Sequence, residues 1–151
     1  MEDLYIKEMQ SLIEDETDTI ALLSNASAYL NSLLDDINWV GFYLYKNDEL
    51  TLGPFQGKVA CTHITLDQGV CGKAASTLEI QRVEDVHQFP GHIACDSESE
   101  SEIVLPILVN DQLFGVLDID APIKNRFSEE DQLFLKKIVN VLSYSLTNTS
   151  Y

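Results

Sequence analysis

The sequence predicts a single α+β domain, a mainly antiparallel β-sheet flanked by helices. Three observations lead there. Apolar residues recur at helical spacing at both ends of the chain. Between them lie short aromatic and β-branched runs with period two. Short turns join those runs in pairs, as in hairpins.

The first helix falls within residues 1–17, where Tyr5, Met9, Leu12 and Ile13 share one face. Asp18 or Thr19 caps a second helix, whose stripe is Leu23, Ala26, Leu30, Leu33, Leu34 and Ile37. Residues 39–45 then read as a strand, with Trp39, Gly41, Tyr43 and Tyr45 on one face and Val40, Phe42 and Leu44 on the other. A return strand starts at Leu50 and stops at Gly53-Pro54. Another is expected within 58–64. Small residues at Gly72, Ala74 and Ala75 mark a short, closely packed helix over 69–78, and a short strand follows at 79–83. Residues 84–102 lack Lys and Arg, lack periodicity, and read as either a disordered segment or a functional lid. Two apolar runs, 103–109 and 113–120, flank Asn110-Asp111 and form a hairpin. Pro106 belongs at an edge or a bulge of it. Ser128 and Asp131 form a capping box that opens the last helix, with Phe134, Ile138, Val141 and Leu142 inward. No second domain is visible in 151 residues.

Charge excludes several functions. With 25 Asp+Glu against 9 Lys+Arg, the net charge of −16 repels nucleic-acid phosphate and anionic lipid. An odd count of 3 Cys does not make a secreted disulfide scaffold. Residues 1–10 have no apolar segment of the signal-peptide kind, and no run approaches a membrane span. A cytoplasmic protein is expected, in which thiols stay reduced unless chemistry uses them.

The cysteines and a group of carboxylates carry the chemistry. A lone buried Cys is usually a small hydrophobe. Cys71, however, opens a helix, where the dipole favours a thiolate. Cys95 sits in a polar loop beside Gly91 and His92, and Cys61 lies near Gly57 and Lys58. Neither Cys61-Thr62-His63 nor the 92–95 stretch has a structural zinc spacing, so no metal is expected; His87 and His92 read as loop-packing residues. Asp118 and Asp120 interrupt an apolar strand on one face, either as a solvated strand end or as a site that delivers a proton or holds a cation. Register decides whether Glu102 joins them. A two-residue turn at Asn110-Asp111 sets Glu102 opposite Ile119, on the wrong face. A three-residue loop, or a bulge near Pro106, sets it opposite Asp120, and this shifted register is expected.

The segments at 57–61 (GKVAC), 69–74 (GVCGKA), 83–107 and 115–122 (GVLDIDAP), in that order, closely resemble the free methionine-R-sulfoxide reductases, stand-alone GAF-domain proteins. The resemblance covers most of the chain. It implies a GAF-like fold and a possible homodimer. It further implies Cys95 as nucleophile, Cys71 and Cys61 as resolving cysteines, and Glu102, Asp118 and Asp120 as the acidic cluster. Trp39 and Tyr43 would wall the substrate methyl group, and backbone N–H groups of Ile93, Ala94 and Cys95 would bind its carboxylate. No bound cofactor is implied. Electrons would come from thioredoxin, linked to NADPH, through a sulfenic acid and an intramolecular disulfide. The competing expectation is a non-enzymatic GAF module that senses a small ligand or redox state.

Overall fold

The computed structural model describes residues 2–92, 95 and 97–151. Helix α1 (Glu2–Ile13) buries Met9 and Ile13. Asp18 caps α2 (Thr19–Leu33), its carboxylate accepting the Ala21 N–H at 2.9 Å. The expected α2 stripe extended to Ile37. Instead the backbone turns extended at Leu34, and Leu34 and Ile37 pack half-buried on the same core from beyond the helix.

Strands β1 (Trp39–Lys46) and β2 (Glu49–Gly57) join through Asn47 and Asp48, both at positive φ (52° and 64°), as a tight hairpin turn requires. β2 does not end at Gly53-Pro54 as expected. It continues through a register shift opposite Gly41–Tyr43. The next strand, β3 (His63–Thr65), pairs only with Glu49–Thr51, so Pro54 lies on an open edge where its missing N–H is harmless. The strand expected over 58–64 shrinks to β3. Its first half leaves the ladder because side chains take its carbonyls: Trp39 Nε1 donates to Lys58 O at 3.1 Å and the Tyr43 hydroxyl to Cys61 O at 2.9 Å.

Helix α3 (Gly69–Thr77), strand β4 (Gln81–Val83) and a 3-10 turn (Val86–Gln88) follow. Strand β5 (Ser101–Val109) takes in the end of the expected 84–102 loop, because the Glu102 backbone pairs on both sides, with Val83 and Asp120. β6 (Gln112–Ala121) completes the hairpin, and α4 (Glu129–Leu146) opens with the reciprocal Ser128–Asp131 capping box. Among the described residues, no helix is long and apolar enough to cross a membrane.

The six strands form one antiparallel sheet in the order β3-β2-β1-β6-β5-β4. Asn110 and Asp111 make a two-residue turn, with φ of 52° and 63°. That turn alone would misplace Glu102. A register shift between Ile107 and Leu108, next to Pro106, corrects it and sets Glu102 opposite Asp120. Pro106 is itself beyond the three residues that β4 pairs, so its edge is open.

Period two divides the sheet between two cores. Val40, Phe42, Leu44, Ile103, Leu105, Leu117 and Ile119 face α1, α2 and α4 in the main core. The opposite face, with Tyr43, Val104 and Val116, packs under α3 through Val70, Ala74 and Ala75. Gly72 makes that approach possible: a Cβ there would lie 2.7 Å from Thr65 O. The functional residues belong to this second, smaller face.

Candidate active site

The register places the acidic side chains. Trp39, Asp120 and Glu102 stand side by side across β1, β6 and β5, and the next inward row is Gly41, Asp118 and Val104. All point to the α3 side, so a layer that would otherwise be apolar receives carboxylates from neighbouring strands. Glu102 and Asp118 are 7% and 5% exposed. From above, α3 lowers Cys71 onto them. The thiol and the carboxylate oxygens of Glu102 and Asp118 lie within 4.8 Å of one another, close enough for each charge to act on the others.

Such crowding sets the protonation. Burial, and then the charges of Asp118 and Asp120, push the Glu102 carboxyl well above the usual range. Side-chain hydrogen bonds join Glu102 to both aspartates. Asp118 is also raised, by burial, but bonds from Glu102 and Cys71 oppose this. One oxygen of Asp118, Oδ1, is buried without a hydrogen-bond partner among the described residues. It is an acceptor awaiting a donor.

Cys71 corrects a local expectation. It does occupy the first turn of α3, but burial, followed by the charges of Asp118, Glu102 and Asp120, pushes its thiol pKa well up. A helix dipole contributes about 0.3–1 kcal/mol. Full desolvation together with several carboxylates outweighs it. Cys71 is therefore a protonated thiol that donates to Asp118, and it is the free cysteine.

The other two cysteines are joined. Cys61 and Cys95 form a disulfide with Cα atoms 5.5 Å apart, across 34 residues of sequence. Of this pair, Cys95 lines the pocket, together with Trp39, Tyr43, Cys71, Glu102, Asp118 and Asp120. Ile93 and Ala94, expected to bind a carboxylate through their N–H groups, lie outside the described residues. An ion pair between Lys58 and Glu98 ties together the two segments that carry the disulfide.

Trp39 and Tyr43 wall the pocket as a stacked pair, with centroids 5.9 Å apart and planes at 23°. Gly41 between them allows it. A Cβ there would lie 2.8 Å from Trp39 Cη2 and 2.3 Å from Phe55 Cβ. Burial and the acidic cluster raise the Tyr43 hydroxyl, so it stays protonated and keeps its bond to Cys61 O. The two rings thus do more than bound the pocket, since their polar ends fix the segment that carries Cys61.

His92, Ser99 and Gly69 are among the pocket residues that sequence reasoning missed. His92 was expected only to pack the loop, yet it lines the pocket; burial, then His87, lowers its pKa. Ser99 is 6% exposed within a run of polar residues and accepts from Asn38 Nδ2 at 3.2 Å. Gly69 also lines the pocket and donates its N–H to Gly91 O at 3.1 Å, joining α3 to the loop. Only the placement of His92 and Ser99 in the 84–102 segment signalled them.

Comparison with known proteins gives consistent results. The GAF-domain family model matches residues 9–146. The free methionine-R-sulfoxide reductase of Escherichia coli (strain K12) is 50% identical over 145 residues, covering 96% of this chain and 88% of that protein. The fRMsr of Staphylococcus aureus, solved in complex with substrate, superposes with a TM-score of 0.92 at 56% identity, covering 96% and 95% of the two chains. The free methionine-R-sulfoxide reductase of Neisseria meningitidis, also solved with its substrate, gives 0.92 at 40% identity, covering 97% and 90%.

Proposed function

The chain belongs to the GAF-domain family and, within it, to the free methionine-R-sulfoxide reductases, and from that premise we propose that it reduces free methionine-(R)-sulfoxide to methionine by the following use of its residues. The observation that carries the mechanism is the Cys61–Cys95 disulfide at the wall of a pocket floored by three carboxylates. It is the oxidised product that such a cycle leaves.

A sulfoxide sulfur becomes electrophilic once its oxygen takes a proton. Glu102, raised by burial and its neighbours, is a carboxylic acid that can give one. The Cys95 thiolate attacks sulfur, methionine departs, and Cys95 is left as the sulfenic acid. The same acids oppose the thiolate, but a protonated Glu102 removes one of the three charges that face it. The Cys61 thiol then displaces the sulfenic hydroxyl as water and forms the disulfide. The resemblance made both Cys71 and Cys61 resolving residues. Since Cys61 is the residue joined to Cys95, we put the first resolving step on it.

Substrate selection follows from charge. Asp120, together with Asp118 Oδ1, which has no hydrogen-bond partner among the described residues, accepts the ammonium of a free amino acid. Ile93 and Ala94 would meet its carboxylate, and Trp39 and Tyr43 its methyl group. A peptide-bound residue lacks those charges and leaves buried acceptors unpaired. Thioredoxin, recharged by NADPH, is the proposed reductant, and no cofactor is held. The cycle needs a reducing compartment, which supports the cytoplasm. A homodimer is supported by the exposed apolar side chains Leu4 and Leu12 of α1.

NADPH consumption with thioredoxin and thioredoxin reductase tests this reading. Oxidation is expected with the free R epimer and not with the S epimer or a blocked peptide analogue. Equal turnover of both epimers removes the stereospecific claim, and no turnover favours ligand sensing. Cys95→Ser abolishes methionine release. Cys61→Ser releases a single equivalent per protein and stops. Cys71→Ser keeps cycling, at a rate lowered several-fold by loss of its bond to Asp118. A Cys61→Ser protein that cycles like the parent defeats the resolving assignment.

A further inference from the structure

We propose that the dithiol protein that recharges the enzyme docks on the segment 58–61 and attacks Cys61, not Cys95, with Val59 as its apolar anchor. The inference rests on the reductase reading for its biological setting, and on the geometry around the disulfide for its direction.

Three observations converge. Val59 is 87% exposed, more than any other large apolar side chain among the described residues, and lies two positions from a disulfide sulfur. A side chain of that kind normally signals contact with something outside the molecule. The backbone beside it belongs to no strand, and among the described residues Val59 and Ala60 make no backbone hydrogen bond. Backbone N–H and C=O groups left open in this way are what a partner's chain can pair with. Finally, the segment is rigid where it must be. Lys58 O and Cys61 O at its two ends are held by Trp39 Nε1 and the Tyr43 hydroxyl.

The choice between the sulfurs is electrostatic and steric. The attacking group is an anionic thiolate. Cys95 lines the pocket with Glu102, Asp118 and Asp120, whereas Cys61 does not line it. Displacement at a disulfide runs in line, so an attacker at Cys61 approaches from the side away from Cys95 and stays clear of the carboxylates. The partner thiolate bonds to Cys61 Sγ, the Cys61–Cys95 bond breaks, and Cys95 leaves as the thiolate that the next substrate needs. The partner's second thiol, as thiolate, then displaces Cys61, which leaves as a thiolate and takes up the proton that thiol gave up. The partner ends as a disulfide, and two electrons have moved to the enzyme.

The test uses the disulfide form of the whole protein, without substrate. A thioredoxin whose second active-site cysteine is replaced by serine is added, and the trapped adduct is mapped by peptide mass. An adduct on Cys61 is expected; one on Cys95 overturns the proposal. In parallel, Val59→Asp is assayed with thioredoxin and with dithiothreitol. The expected result is a KM for thioredoxin about tenfold higher, the effect of losing one buried valine from an interface, with dithiothreitol-driven turnover unchanged. Unchanged kinetics with both reductants overturns the anchor. So does Val59→Asp shifting the protein's mass in solution with thioredoxin kinetics unaltered, which assigns the segment to self-association. Absence of sulfoxide reduction with either reductant sinks the reductase reading instead, and leaves the mapped adduct standing.

Discussion

Glu102 is held among Asp118, Asp120 and Cys71 with almost no contact with water, and its behaviour with pH follows from that. Its carboxyl is raised by burial first and by the neighbouring charges second. On the proposed mechanism the acid form is the working form, so activity is expected to fall as pH rises through the raised value. Glu102→Gln keeps a hydrogen-bond donor but cannot release a proton. Turnover falls by about 10²–10⁴, the usual worth of a general acid, and this alkaline fall disappears from the pH profile. The stability effect has a fixed sign. A carboxyl raised by folding contributes stability that is full below its unfolded value near ~4.3 and is lost as pH rises through the folded value. Glu102→Gln therefore melts higher than the parent at pH 8, and the gain shrinks at pH 5. A gain that grows toward low pH contradicts the raised carboxyl. Cys71 shows the limit of local rules at this scale: position in the chain favoured a thiolate, but burial, and then three carboxylates delivered by β5 and β6, reverse it.

Elements set the geometry through two backbone devices. The shift at Ile107/Leu108 converts a hairpin turn that would place Glu102 among the main-core residues into one that places it beside Asp120. This much was legible, because period two and the wish to bury apolar residues allow only one register. Gly41 is the second device, and its role was not legible. Nothing in the sequence shows that Phe55 crosses so close to it; that contact depends on the β1–β2 pairing. Gly41→Ala inserts a methyl group where there is no room, at a cost of about 1–3 kcal/mol. It displaces the Trp39 ring, so KM for the sulfoxide rises more than kcat falls. Thermal melts and substrate titrations separate the two effects, and a folded variant with unaltered KM removes Trp39 from the substrate wall.

At the scale of the molecule, the disulfide joins the segment after β2 to the loop before β5, which ties one half of the sheet to the other. Closing a loop of 34 residues removes enough unfolded-state entropy for about 3–4 kcal/mol. The oxidised protein melts higher than the reduced one by about 10 °C, and Cys61→Ser abolishes the difference while Cys71→Ser does not. Calorimetry under both conditions checks this.

The fold class, the antiparallel hairpins, a cap at Asp18 or Thr19, the cap at Ser128 and the acidic row of Glu102, Asp118 and Asp120 were all determined by the sequence, because each depends on spacing along one or two neighbouring segments. The motifs likewise singled out the three cysteines. Which two of them meet was decided only in three dimensions. Cys61 and Cys71 are equally plausible partners on the page, but Trp39 and Tyr43 hold one toward Cys95 while α3 buries the other against carboxylates. Pairing and protonation depend on distances between elements far apart in the chain, and a local pattern carries no record of those distances.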